Sequence, residues 1–310
     1  MALPLACGLT LEWTGDEGLA NWARLGAQAW FLDGPADDPR AATWDVAFER
    51  GRVIGPFENP PRWELRSPGE ACRTPWGAIS LQPRLRRCLI RMPDRHGMGY
   101  LIHLALGAML RHEGRLQLHA AVLAPDAGLP SVVVAGPSGS GKTTLTLSLA
   151  RRGWTFLSDD SVALSEEPGG FYAAPIRLRF MQAREGGARK CPVDPEAEFP
   201  GQRLWRAPVG AVVFVERTVA ASCSLSPISR SQALSRLPAL IPGFGPDTGR
   251  SQIKSLARLA ALPAFILHSG ADVPSGGSSA EGALRVVLER ARTPSGVTIE
   301  GQLKLEPHRI

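Results

Sequence analysis

Lysine is scarce in this sequence. It occurs only at Lys142, Lys190, Lys254 and Lys304, so nearly all the basic charge behind the formal net of +6 is arginine. No run of consecutive basic residues exceeds two or three, and without such a tract no nucleic-acid partner is expected. The arginine excess is either a compositional bias or a surface for an acidic or phosphorylated partner. Cysteine is also thin. Cys7, Cys72, Cys88, Cys191 and Cys223 are odd in number, widely spaced and free of any C-x-x-C pair. That pattern excludes a zinc knuckle and a disulfide framework, and a reducing, cytoplasmic setting is expected. No window carries about 18 uninterrupted apolar residues, so no membrane-spanning helix is predicted. The stretch Met1 to Cys7 has no basic start and little apolar length, and reads as a poor signal peptide. No internal repeat is found.

What is present is a globular composition. The 310 residues, 44% of them hydrophobic, can hold two domains or one large one around a proper core. Residues 1–95 differ from the rest. Trp13, Trp22, Trp30, Trp44, Trp63 and Trp76, six of the eight tryptophans, sit there among turn signals such as Gly34-Pro35 and Ser67-Pro68. The segment reads as a small β-rich or mixed domain, with a helix over 22–31. Its tryptophans are either core or a docking surface for a peptide or partner. Residues 96–310 then form an α/β domain.

The stretch Gly136-Pro137-Ser138-Gly139-Ser140-Gly141-Lys142-Thr143 fits G-x-x-x-x-G-K-[ST] at every fixed position. Ser131 to Ala135 before it reads as a buried strand, and Lys142 to Arg152 after it as a helix stopped by Gly153. That is the setting a phosphate-binding loop needs. Gly136, Pro137, Ser138, Gly139, Ser140, Gly141, Lys142, Thr143 and Thr144 are therefore candidates for nucleotide binding. The backbone N–H groups and the helix N-terminus would cradle phosphates, Lys142 would reach the terminal ones, and the Thr143 hydroxyl would ligate Mg²⁺.

Two neighbouring signals sharpen this. Leu116 to Leu123 reads as one strand, turning near Ala127 into the strand before the loop. Antiparallel pairing about that centre puts His119 opposite Ala135, give or take two residues, at the mouth of the loop. His119 is either a core histidine or part of the site. Trp154 to Ser158 reads as the next strand and ends in Asp159-Asp160. In a right-handed crossover the two strand ends share an edge, so one carboxylate can face the metal and the other a substrate hydroxyl.

Further on, Pro175 to Phe180 alternates and puts Arg177 and Arg179 on one strand face. Residues 182–202 read as a long mobile loop. Val209 to Val215 and Ala264 to His268 read as strands, and Ser279 as the cap of a helix to about Ala291. Arg250, Lys254 and Arg258 recur every four residues, making one helical stripe that is either a solvated face or an anion site.

Leu118-His119-Ala120 through Ser158-Asp159-Asp160 resembles the nucleotide core of the HPr kinase/phosphorylase family, a plan shared with phosphoenolpyruvate carboxykinases. The resemblance implies ATP and Mg²⁺ as cofactors. It implies metal binding and activation of a serine hydroxyl as the tasks of His119, Asp159 and Asp160; either aspartate can be the base, and Asp160 is preferred, with Thr143 and Asp159 on the metal. The glycine-rich, glutamate-containing stretch that follows this core in true HPr kinases is absent. Gly136-Pro137-Ser138-Gly139, Arg152-Gly153 and Phe156 to Asp160 are closer to HPr-kinase-like enzymes of lasso-peptide gene clusters. The expected activity is transfer of the γ-phosphoryl group to the C-terminal serine of a precursor peptide. Arg177, Arg179, Arg250 and Lys254 are candidates to hold that peptide's carboxylate. The alternatives are a kinase of free serine or another small hydroxyl compound, and a nucleotide-binding regulatory protein without transfer. Relatives of this core often assemble as homo-oligomers.

Overall fold

The computed structural model describes residues 2–30, 41–53, 61, 63–66, 69–177, 180–183, 190–243, 246–270, 273 and 277–292. Arg179, Gly186 and Gly187, and the turn signals at Gly34-Pro35 and Ser67-Pro68, lie outside them. The chain is α/β and divides into two compact units, 1–117 with 241–254 and 118–240 with 255–310. The first unit thus extends past the expected boundary at residue 95 and takes back a second, distant segment.

The first unit is a mixed sheet with two helices. Its elements are β1 (Ala2–Leu5), β2 (Leu9–Gly15), α1 (Glu17–Trp30), β3 (Ala42–Arg50), β4 (Trp63–Arg66), β5 (Gly69–Thr74), β6 (Gly77–Gln82), β7 (Arg87–Met92) and α2 (Met98–His112). The strand order is β1-β2-β3-β7-β6-β5-β4. β3 lies parallel to both β2 and β7, and the other pairs are antiparallel. Alternation along β3 sends Trp44, Val46 and Phe48 inward beside Leu9, Leu11, Ile79 and Ile90, as expected for a half-buried strand. Helix α1 starts five residues before the expected Trp22, because the Asp16 carboxylate accepts the Leu19 N–H at 2.9 Å and caps it. Helix α2 is apolar on most sides and packs with α1 and β6, so it belongs to this unit. The tryptophans divide: Trp44 and Trp63 are core, whereas Trp22 and Trp76 are exposed.

The strand β8 (Leu116–Leu118) carries the chain across the boundary. The second unit contains β9 (Ala120–Ala124), β10 (Ser131–Ala135), α3 (Lys142–Ala150), β11 (Thr155–Ser158), β12 (Val162–Glu167) and β13 (Gly170–Pro175). It continues with β14 (Phe180–Ala183), β15 (Lys190–Val193), α4 (Pro195–Glu198), β16 (Ala207–Arg217), β17 (Ser224–Pro227) and α5 (Arg230–Arg236). α6 (Pro246–Leu259) enters it from the first unit, and β18 (Ala264–Ser269) and α7 (Ser278–Arg292) complete it. The central strands run β11-β9-β10-β16-β18-β17. β10, β16 and β18 are parallel, and β9 is antiparallel to both β10 and β11. One apolar cluster joins Leu145, Leu149, Phe156, Val213, Leu284 and Leu288, so α3 and α7 cover the sheet together.

Four local expectations are corrected. The strand over 116–123 is broken at His119, whose N–H leaves the ladder for the Leu240 carbonyl at 2.7 Å. The strand from Pro175 ends there instead of beginning, since Val162 to Pro175 is a hairpin. The described part of 182–202 is ordered structure: β14 and β15 pair antiparallel, and Asp194 caps α4 through the Glu196 N–H at 3.1 Å. Ser279 lies inside α7, where its hydroxyl accepts the Cys223 N–H at 2.8 Å.

Candidate active site

The site begins where β10 ends. The phosphate loop leaves Ala135 through Gly136, where a β-carbon would lie 2.7 Å from the Ser140 hydroxyl and 3.0 Å from the Val215 carbonyl. Only glycine fits so close an approach. Gly139 and Gly141 have φ of 84° and 100°, which side-chain-bearing residues rarely adopt. The loop closes with Ser140 N–H donating to the Pro137 carbonyl at 3.1 Å, and α3 starts with Leu145 N–H on the Gly141 carbonyl at 2.8 Å.

Lys142 is buried, which a cation tolerates only with partners. Its Nζ donates to the Gly136 carbonyl at 2.8 Å and the Pro137 carbonyl at 3.1 Å, and lies 3.1 Å from His119 Nε2. The register Ala120↔Ala135 places His119 one step from its expected partner. Its Nδ1 is 3.1 Å from Asp160 Oδ1, and the other Asp160 oxygen meets Arg177 Nη1 at 2.5 Å. Burial holds His119 below the usual histidine range, against the pull of Asp160. A neutral ring with Nδ1–H toward Asp160 and its Nε2 lone pair toward Lys142 satisfies both contacts.

Asp159 is 1% exposed. The Thr143 hydroxyl donates to its Oδ2 at 2.7 Å, while Oδ1 has no hydrogen-bond partner among the described residues. Burial, with help from Asp160, pushes the carboxyl up to about 6 despite the Thr143 hydrogen bond. The crossover that brings Asp159 here differs from a simple β-α-β unit: β9 runs between β10 and β11, yet both strands end at the same edge.

Two cavities open on the loop. One, of about 340 Å³, is lined by Lys142, Thr143, Thr144, Asp160, Ser269 and Gly270 among others. The other, of about 820 Å³, lies against Gly136, Pro137, Phe214, Glu216, Arg236 and Leu240. His119, Ser138, Gly139 and Arg217 line both.

The predicted loop residues, His119, Asp159, Asp160 and Arg177 are therefore brought together. Arg250 and Lys254 are exposed on the part of α6 assigned to the first unit, and neither is among the residues lining these two cavities. Arg258, the third member of their stripe, is ion-paired with Glu166. Sequence reasoning missed Glu216, Arg217 and Arg236. A signal existed for the first two, because they end a buried parallel strand, and ligands of open α/β sheets sit at such carboxyl ends.

A divalent cation fits this arrangement. The Thr143 hydroxyl and the Asp159 carboxylate offer hard oxygen donors, and the orphaned Asp159 Oδ1 lacks the partner that a buried acceptor requires. Among the described residues no group of three or more His, Cys, Asp or Glu side chains could hold a metal without other ligands. Such a sparse set suits Mg²⁺, which keeps waters and takes phosphate oxygens. All five cysteines are free. Among the described residues, no helix is long and apolar enough to cross a membrane.

No family model matches the chain, and no curated protein matches it. Among solved structures it is similar to the HPr(Ser) kinase/phosphatase from Coxiella burnetii, with TM-score 0.36 and 14% identity over 57% of this chain and 99% of that one.

Proposed function

We propose that this protein is an ATP- and Mg²⁺-dependent phosphotransferase acting on a hydroxyl group. The observation that carries the reading is the chain Lys142–His119–Asp160, with 3.1 Å at each link, beside the Thr143–Asp159 pair. A protein that only holds a nucleotide needs the loop, its lysine and a metal ligand. It does not need a second carboxylate held in place by an imidazole.

ATP and Mg²⁺ supply an activated phosphoryl group and the charge that shields it. Thr143 and Asp159 would hold the metal. Lys142, now resting on loop carbonyls, carries the charge that phosphates would take up. Asp160 is the acceptor of the hydroxyl proton, oriented by His119 and Arg177. In the loose transition state of phosphoryl transfer the proton moves late, so an ion-paired carboxylate is basic enough.

The acceptor we favour is the C-terminal serine of a lasso precursor peptide. Its support is the sequence resemblance at Gly136 to Gly139 and Phe156 to Asp160. Incubation with γ-labelled ATP, Mg²⁺ and candidate acceptors tests the reading. Label on a peptide ending in serine is the expected result. Label on free serine alone would move the acceptor to a small molecule. Nucleotide binding with no transfer to any acceptor would leave a regulatory protein.

A further inference from the structure

The cations around the loop are unequal. Lys142 is held by two carbonyls and His119, Arg177 by Asp160, and Arg236 by Glu216 at 2.7 Å. Arg217 has no ion pair or side-chain hydrogen bond among the described residues, although it is the last residue of β16 and lines both cavities. Its place follows from the sheet. β16 runs parallel to β10 with Ala135 level with Phe214, so the chain reaches Arg217 alongside the crest of the phosphate loop. On its other side β18 pairs Ser269 with Arg217. An exposed guanidinium with no ion pair among the described residues, at the carboxyl edge of a parallel sheet beside a phosphate loop, is free to turn to an anion.

The two cavities differ as the two ends of a phosphoryl transfer should. The loop motif sets the direction: its backbone and the first turn of the helix take the inner phosphates, and the lysine reaches the outer ones. The smaller cavity holds Thr143 and Thr144 and is therefore the nucleotide side. In-line transfer needs the acceptor hydroxyl opposite the leaving oxygen and within reach of Asp160, which lines the smaller cavity, so an acceptor whose body fills the larger cavity must extend that hydroxyl past His119, Ser138 and Arg217, which line both. Its walls are part apolar (Phe214, Val215, Leu240) and part charged (the Arg236–Glu216 pair). About 820 Å³ lies in the range of pockets for drug-sized ligands. A free serine, with its handful of heavy atoms, would leave most of it empty, whereas the end of a peptide would fill it.

Resting on the kinase reading above, we infer that the larger cavity is the acceptor pocket, shaped for a peptide end, and that Arg217 contacts the phosphoryl group as it crosses from one cavity to the other. Arg217 is then a catalytic residue, worth more in the transition state than in the ground state.

Two variants test this. For wild type, ADP with aluminium fluoride, a mimic of the phosphoryl group in flight, should bind about 10²-fold more tightly than ADP alone, as measured by calorimetry. Arg217→Ala should lose most of that gain while keeping ADP affinity within about twofold, and Arg217→Lys should restore only part, since an ammonium lacks the planar fork. An Arg217→Ala protein that keeps the full gain overturns the role of Arg217. Ala239→Trp, which fills the larger cavity, should raise KM for a pool of octapeptides ending in serine and leave ADP affinity unchanged. Weakened ADP binding with unchanged peptide KM would instead place the nucleoside in that cavity. Wild-type protein that binds ADP but transfers phosphate to no acceptor removes the kinase reading itself, an outcome distinct from either variant's failure.

Discussion

Two buried carboxylates, one in each unit, show what separates structural charge from functional charge. Glu70 is 3% exposed and Asp159 is 1% exposed. Burial pushes both upward, but at Glu70 the His112 hydrogen bond and the Arg111 guanidinium outweigh it and hold the carboxyl below its usual range. At Asp159 one hydroxyl is the main compensation, an oxygen is left without a partner, and the carboxyl rises to about 6. Glu70 is paired by two cationic side chains, whereas Asp159 is, on the function proposed above, placed to take a cation. An unsatisfied buried acceptor is costly, and its position beside Thr143 and a phosphate loop says which ligand offsets that cost.

The sharpest way to break the comparison is to remove one partner from each cluster. Arg111→Ala leaves Glu70 buried without its guanidinium partner and should destabilise the protein by about 3–5 kcal/mol in denaturant unfolding. Lys142→Ala should leave unfolding much less affected and reduce phosphoryl transfer and nucleotide use by about 10² or more. Equal losses of stability in the two variants would erase the distinction.

A smaller effect has the opposite sign. Asp159 has a folded-state value of about 6, above its unfolded value of 3.8. The folded protein therefore binds the extra proton between those values, and this contribution to stability is lost as pH rises through about 6. Nucleotide-free Asp159→Asn should melt several degrees above wild type at pH 7.5, and the difference should shrink toward pH 5. The same variant should lose Mg²⁺-dependent tightening of ATP binding. A variant that melts lower at pH 7.5 would contradict the assignment of a raised carboxyl. The smallest effect is a control on the first unit: Asp16→Ala removes the cap of α1 and should lower the melting temperature slightly without changing transfer.

The loop, His119 and the aspartate pair were legible because their spacing is local. A fixed motif, a hairpin register and a strand end each act over a few residues, and the structure sets the corresponding atoms within 3.1 Å of one another. The break at His119 was not legible, because its cause is the Leu240 carbonyl, far away in sequence. The return of 241–254 to the first unit is equally non-local. Arg217 was overlooked because its one signal, a place at the carboxyl end of a parallel strand, depends on pairing with a strand far away in sequence. It stands out only in three dimensions, where it lines both cavities and has no ion pair among the described residues.

Asp160 as proton acceptor beside a bound nucleotide is tested most directly by single-turnover transfer in Asp160→Asn, with ATP affinity measured on the same protein. The predicted result is a rate lower by about 10²–10⁴ with ATP affinity close to wild type. A near-normal rate would contradict it and take the proton-accepting role away from this carboxylate.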